Sequence, residues 1–141
     1  MPPTKIRKEQ YNPKYVIFLP STTLDLTLAT GVSSVMKLFD GFTTGYNVAV
    51  PRAGRLQNLY FRTSSTQPVT GTLTCTVGTD PGASTIVATV PAGAALGVFS
   101  DTTHYLDIAA GTVVYFTVKN NAGVASAAIV SAIVELYCTA D

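Results

Sequence analysis

Thr72-Leu73-Thr74-Cys75-Thr76-Val77 alternates between polar and apolar residues one at a time. A β-strand turns successive side chains to opposite faces, so Leu73, Cys75 and Val77 belong to one face and the three threonines to the other. A helix would scatter the same three apolar side chains around its axis. The two-residue period recurs on both sides of this stretch. Upstream, residues 23–28 set Leu24, Leu26 and Leu28 against Thr23, Asp25 and Thr27. Downstream, residues 127–138 place Ala128, Val130, Ala132, Val134, Leu136 and Cys138 in one row. Further strands are expected at 15–19, 56–62, 85–90 and 112–119, the first stopped by Pro20. Asp40-Gly41, Asp80-Pro81-Gly82, Ala110-Gly111 and Asn120-Asn121-Ala122-Gly123 supply turn chemistry between them. No stretch of a dozen residues keeps a helical period. Only residues 33–39, with Val35, Met36 and Phe39 near one side, predict a short helical turn.

About eight short strands separated by turns imply a sandwich or barrel. Parallel sheets need crossover helices, which this chain lacks, so the sheets are expected to be antiparallel. The expected fold is all-β: an antiparallel jelly-roll sandwich over residues 15–141 with an extended N-terminal arm over residues 1–14. Composition agrees. The chain has 141 residues, enough for one domain. Only 12% of residues are charged and mean hydropathy is +0.32, which excludes intrinsic disorder and a long coiled coil. Thirty Ser and Thr residues and sixteen Val stand against two Glu, a balance that favours pleated structure. No repeat of 20–50 residues is present, which argues against propellers and solenoids.

Charge is unevenly spread. Residues 1–62 carry eight Lys and Arg against Glu9, Asp25 and Asp40, a net +5, whereas residues 63–141 sum to −4. The arm holds Lys5, Arg7, Lys8 and Lys14 against Glu9, together with Ile6, Tyr11 and three prolines. Proline fixes φ and removes a donor, so residues 1–14 are expected to be an extended contact arm rather than part of a sheet. No apolar core of a signal peptide follows Met1, and the longest apolar run, residues 122–134, falls short of a membrane span. Cys75 and Cys138 match no metal spacing and read as reduced core thiols.

The last strand is apolar on both faces. Beside the row ending in Cys138, Ile129, Ile133 and Tyr137 interrupt Ser131 and Glu135. Val113 and Tyr115, and Val87, break the polar face of their own strands in the same way. A sheet face open to water should be polar there. The second face is therefore expected to be covered by another subunit, with Ile129, Ile133, Tyr137, Val113 and Tyr115 in the interface.

Chemistry-bearing constellations are sparse. His104, the one histidine, lies in Asp101-Thr102-Thr103-His104-Tyr105 and reads as a loop or strand-edge residue rather than part of a triad. One histidine and two core cysteines do not make a zinc site, and a loop calcium site would have to draw on Asp80 or Asp101. Glu9 and Glu135 do not form a glycosidase pair, and there is no phosphate-binding glycine motif. Arg52, Arg55 and Arg62 flank Tyr60 and Phe61, a mix found in single-strand binders, but Leu59 and Phe61 should be core and the arginines solvated. No catalytic role, cofactor, metal, nucleic acid or membrane partner is expected.

Val50-Pro51-Arg52-Ala53-Gly54-Arg55-Leu56-Gln57-Asn58-Leu59-Tyr60-Phe61-Arg62 resembles a strand start found in small jelly-roll proteins of tailed bacteriophages. It is also similar to the trimeric C-terminal domains of bacterial exosporium filament proteins, which have a TNF/C1q-like fold. The threonine-rich strand, Ala109-Ala110-Gly111-Thr112-Val113-Val114 and the final strand extend the likeness over about residues 46–137. A collagen-like stalk is absent, and a basic arm precedes the shared part. The resemblance implies a homotrimeric capsid decoration (cement) protein on the virion exterior, made in the host cytoplasm without a signal peptide. Its partner would be the major capsid protein, contacted through Lys5, Ile6, Arg7, Lys8, Tyr11 and Lys14. The alternative it implies is a head-fibre or tail-fibre tip that binds a host-surface glycan through Tyr46, His104 and Tyr105.

Overall fold

The computed structural model describes residues 16–22, 26–38, 48–64, 66–67, 70–80, 83–122, 126–128 and 130–138. Ten strands follow in chain order: β1 (Val16–Thr22), β2 (Leu26–Leu28), β3 (Ser33–Lys37), β4 (Gly54–Thr63), β5 (Leu73–Asp80), β6 (Ala83–Val90), β7 (Gly97–Ile108), β8 (Val113–Asn120), β9 (Ser126–Ala128) and β10 (Val130–Cys138). There is no helix among the described residues. One sheet has the order β1-β10-β4-β7, the other β3-β8-β5-β6, and β2 pairs with β9. Each sheet is antiparallel throughout. The pairing is also nested: β1 with β10, β2 with β9, β3 with β8, β4 with β7 and β5 with β6. The chain runs out as one side of a long ribbon, bends between β5 and β6, and returns as the other side.

The expected antiparallel β-sandwich is what forms, and the alternation sets which faces meet. Leu73, Cys75 and Val77 are buried, while Thr74 and Thr76 are half-buried on the outer face. Ile86, Ala88 and Val90 of β6, Val114, Phe116 and Val118 of β8, and Met36 of β3 join them. Leu19, Leu56, Leu59, Phe61, Val130, Val134 and Leu136 face them from the first sheet. Burying each Leu, Phe or Met contributes roughly 1.5–3 kcal/mol. A slip of one residue would turn any of these rows to water, so register is strongly specified.

Four expectations need correction. Pro20 does not stop β1, which runs on to Thr22 with Pro20 opposite Ile133. β1 is an edge strand, where a proline can turn its missing donor away from the sheet. Residues 33–37 form β3, not a helical turn. Met36 is buried and Val35 exposed, so the two neighbours lie on opposite faces as in a strand. The expected strand over 127–138 is two pieces, β9 and β10, which pair in different sheets. Finally, residues 97–108, for which the alternation predicts no strand, form β7. This edge strand is mostly exposed and polar over Thr102–His104, so it lacks a continuous apolar row.

Candidate docking face

The outer face of the β1-β10-β4-β7 sheet is built from cross-strand rungs. Val16, Tyr137, Arg55 and Asp107 form one rung, and Phe18, Glu135, Gln57 and Tyr105 the next. Pro20, Ile133, Tyr60 and Ser100 form the third, and Ser131, Arg62 and Val98 the fourth. Between the second and third rungs β4 carries an extra residue, Asn58, whose φ is 56°. This is a β-bulge in the left-handed region, which asparagine tolerates better than other side chains except glycine.

The bulge divides the face in two. Below it, apart from Val16 and Phe18 on β1, the surface is polar and held by its own bonds. Asn58 Nδ2 donates to Glu135 Oε2 at 2.6 Å and reaches the Tyr137 hydroxyl at 3.4 Å. The Glu135 carboxylate, aided by partial burial, raises the Tyr137 phenol above its usual range. Arg55 Nε and Nη2 donate to the two oxygens of Asp107 at 2.8 and 3.1 Å, and its guanidinium lies 3.9 Å from the centre of the Tyr105 ring. The Arg55 bond holds the Asp107 carboxyl below the usual carboxylate range.

Above the bulge the face is apolar. Pro20, Ser21, Tyr60, Arg62, Val98, Ser131, Ala132 and Ile133 line a groove of about 500 Å³. Val98 is 60% exposed and Tyr60 40%. Phe18, one rung below Pro20 on β1, is 58% exposed. Scattered surface apolars are normal, but these are contiguous, and contiguous exposed patches mark contact sites. Arg62 sits at the rim without an ion pair among the described residues.

The expected interface residues separate. Ile133 and Tyr137 lie on this face, Ile133 in the apolar half and Tyr137 in the polar half. Val113 and Tyr115 lie on the outer face of the other sheet, so the two sets do not form one patch. Tyr115 has an internal role there: its ring lies across Gly78, where any Cβ would run into it. Ile129, the arm residues Lys5, Ile6, Arg7, Lys8, Tyr11 and Lys14, and Tyr46 lie outside the described residues.

His104 belongs to a clasp at the β7 edge. Asp101, buried at 7% exposure, accepts from the Thr103 and His104 N–H groups, the Thr103 hydroxyl and the Val87 N–H of β6. Its Oδ2 lies 2.8 Å from His104 Nδ1, and an ionised carboxylate only accepts, so Nδ1 carries the proton. Burial raises the Asp101 carboxyl, but these donors outweigh it and hold the carboxyl well below its usual range. The clasp bridges the two sheets at their β6 and β7 edges. Among the described residues no group of three or more His, Cys, Asp or Glu side chains could hold a metal ion, and no helix is long and apolar enough to cross a membrane.

No protein-family model matches the chain, and no curated protein matches it. Among solved structures it is similar to a chain of the cyanophage Pam1 capsid asymmetric unit, at 18% identity and a TM-score of 0.46, covering 89% of this chain and 86% of that one. Likeness at this level carries no inference about this chain.

Proposed function

We propose that this protein is a structural subunit of a phage virion: a homotrimeric decoration protein seated on the outside of the head. It would act by binding, with no catalytic step. The observation that carries this is the uncovered apolar stripe from Phe18 through Ile133 and Tyr60 to Val98 on the outer sheet face. Such a stripe costs a lone sandwich exposure to water and suits a subunit that is buried in an assembly. The nested strand pairing supports a jelly-roll winding, since two four-stranded sheets wound from one folded ribbon are what that fold requires. The sequence resemblance over residues 46–137 supports the assignment to phage heads.

In this role the body associates with its own copies, and residues 1–14 tie it to the capsid protein through cations and the apolar side chains of Ile6 and Tyr11. A ligand that binds the assembled shell but not its separated capsomers stabilises the shell by mass action. The test is to add purified protein to undecorated heads. Saturable binding and a higher temperature of head rupture are expected, with much weaker binding after deletion of residues 1–14. An intact protein that leaves the heads unbound and their rupture temperature unchanged contradicts the proposal.

A further inference from the structure

We infer that the apolar stripe makes a knob-and-groove contact between copies of this chain: Phe18 of one copy enters the groove of the next, and the adjacent Glu135 meets the neighbour's Arg62. This rests on the self-association proposed above and names its chemistry. The groove is apolar apart from its serines and Arg62. A guanidinium that has no carboxylate among the described residues, at the mouth of an apolar groove, suits an occupant that brings a carboxylate next to an apolar side chain, because the planar fork binds carboxylates in a defined geometry.

The chain itself offers that pair. Phe18 projects from the β1 edge, and Glu135 stands opposite it on β10. Glu135 is held by neutral groups, the Asn58 amide and the Tyr137 hydroxyl, and by no cation among the described residues. The other described carboxylates fit less well. Asp107 is taken by Arg55, Asp101 by its clasp, and Asp80 lies on the other sheet. Within one molecule Glu135 and Arg62 form no ion pair, and Glu135 is turned to Asn58 instead. They stand two rungs apart, about 13 Å along the strands at roughly 3.3–3.4 Å per residue. Among the described residues each charge is thus left open to a neighbouring copy. Made head to tail, this contact is heterologous and closes into a ring when the rotation allows, as the proposed trimer requires.

The experiment is sedimentation equilibrium on the intact protein and on Arg62→Glu, Glu135→Arg and the double reversal, with circular dichroism to confirm folding. Glu135→Gln keeps an acceptor for Asn58 and removes only the charge. Each single reversal and Glu135→Gln should weaken association, the reversals by about tenfold or more, and Phe18→Ser should weaken it too. The double reversal should restore association to within about threefold of the natural chain, because it rebuilds the pair with its signs exchanged. A single reversal without effect, or a double reversal that fails to restore, overturns the pairing. If association is lost in Ile133→Asp but indifferent to the reversals, self-association stands and the pairing falls. A natural chain that stays monomeric overturns both.

Discussion

Asn58 carries more of the outer face than its place in Leu56-Gln57-Asn58-Leu59 suggests. It takes the left-handed conformation that lets β4 bulge, and its amide binds Glu135. Asn58→Val should cost roughly 1–3 kcal/mol, because a β-branched residue is strained there, whereas Asn58→Gly should lose only the side-chain bond. Urea unfolding of the two variants checks the order. Asp101 gives a pH-dependent counterpart. Its folded pKa is depressed, so the stability it contributes is complete above the unfolded value near ~3.9 and is lost as pH falls through the lower folded value. Asp101→Asn should be less stable than the natural chain by about 1–3 kcal/mol at neutral pH. The gap should close as pH drops from about 4 towards 2, because protonation brings the natural carboxyl close to the amide. Thermal melts across that range read it directly, and a gap that stays constant would contradict the clasp. Neither residue announced itself in the sequence. Asparagine and aspartate in a strand read as turn formers or solvated positions, and both roles depend on partners such as Val87, Glu135 and Tyr137, up to 79 residues away.

Elements with clean alternation were legible, and those without it were not. β5 and the inward row of β10 follow from their own residues, since Leu73, Cys75, Val77, Val130, Val134 and Leu136 are all buried. β3 was misread because Val35, Met36 and Phe39 mimic a helical spacing over a segment too short to separate the two periods. β7 escaped because an edge strand buries little, and its polar bulge over Thr102–His104 interrupts the pattern. Pro20 would have ended a central strand, and only the strand order shows that β1 is an edge. Packing between strands adds a constraint no single strand reveals: Gly78 is buried because the Tyr115 ring covers it from β8. Gly78→Val would push that ring off the sheet, and a clash of this kind typically costs about 1–3 kcal/mol. Tyr115→Ala in the same background should recover part of the loss. If Gly78→Val alone is neutral in urea unfolding, the ring does not depend on that glycine.

At the scale of the molecule, two packed sheets leave one face unfinished. Cys75 and Cys138 are buried free thiols in different sheets, and burial pushes the Cys75 thiol well above its usual range. Both should resist a thiol reagent in the native protein and react fully once it is unfolded without reductant. Rapid reaction of the native protein would mean that the core opens. The unfinished face was only half legible. The sequence shows apolar residues on the outer row of the last strand, but Val113 and Tyr115 had to be placed on the other sheet before the stripe could be located. Its groove arises from cross-strand rungs that bring Pro20, Tyr60, Val98 and Ile133 together from four separate segments. That stripe is the ground for the proposed structural role in an assembly, and the proposal is best tested by composition. Quantitative mass spectrometry of purified virions should find this chain in a fixed stoichiometric ratio to the shell protein, and mild dissociation should release it as a trimer. Its absence from the particles, or presence at only a handful of copies per head, would contradict the account.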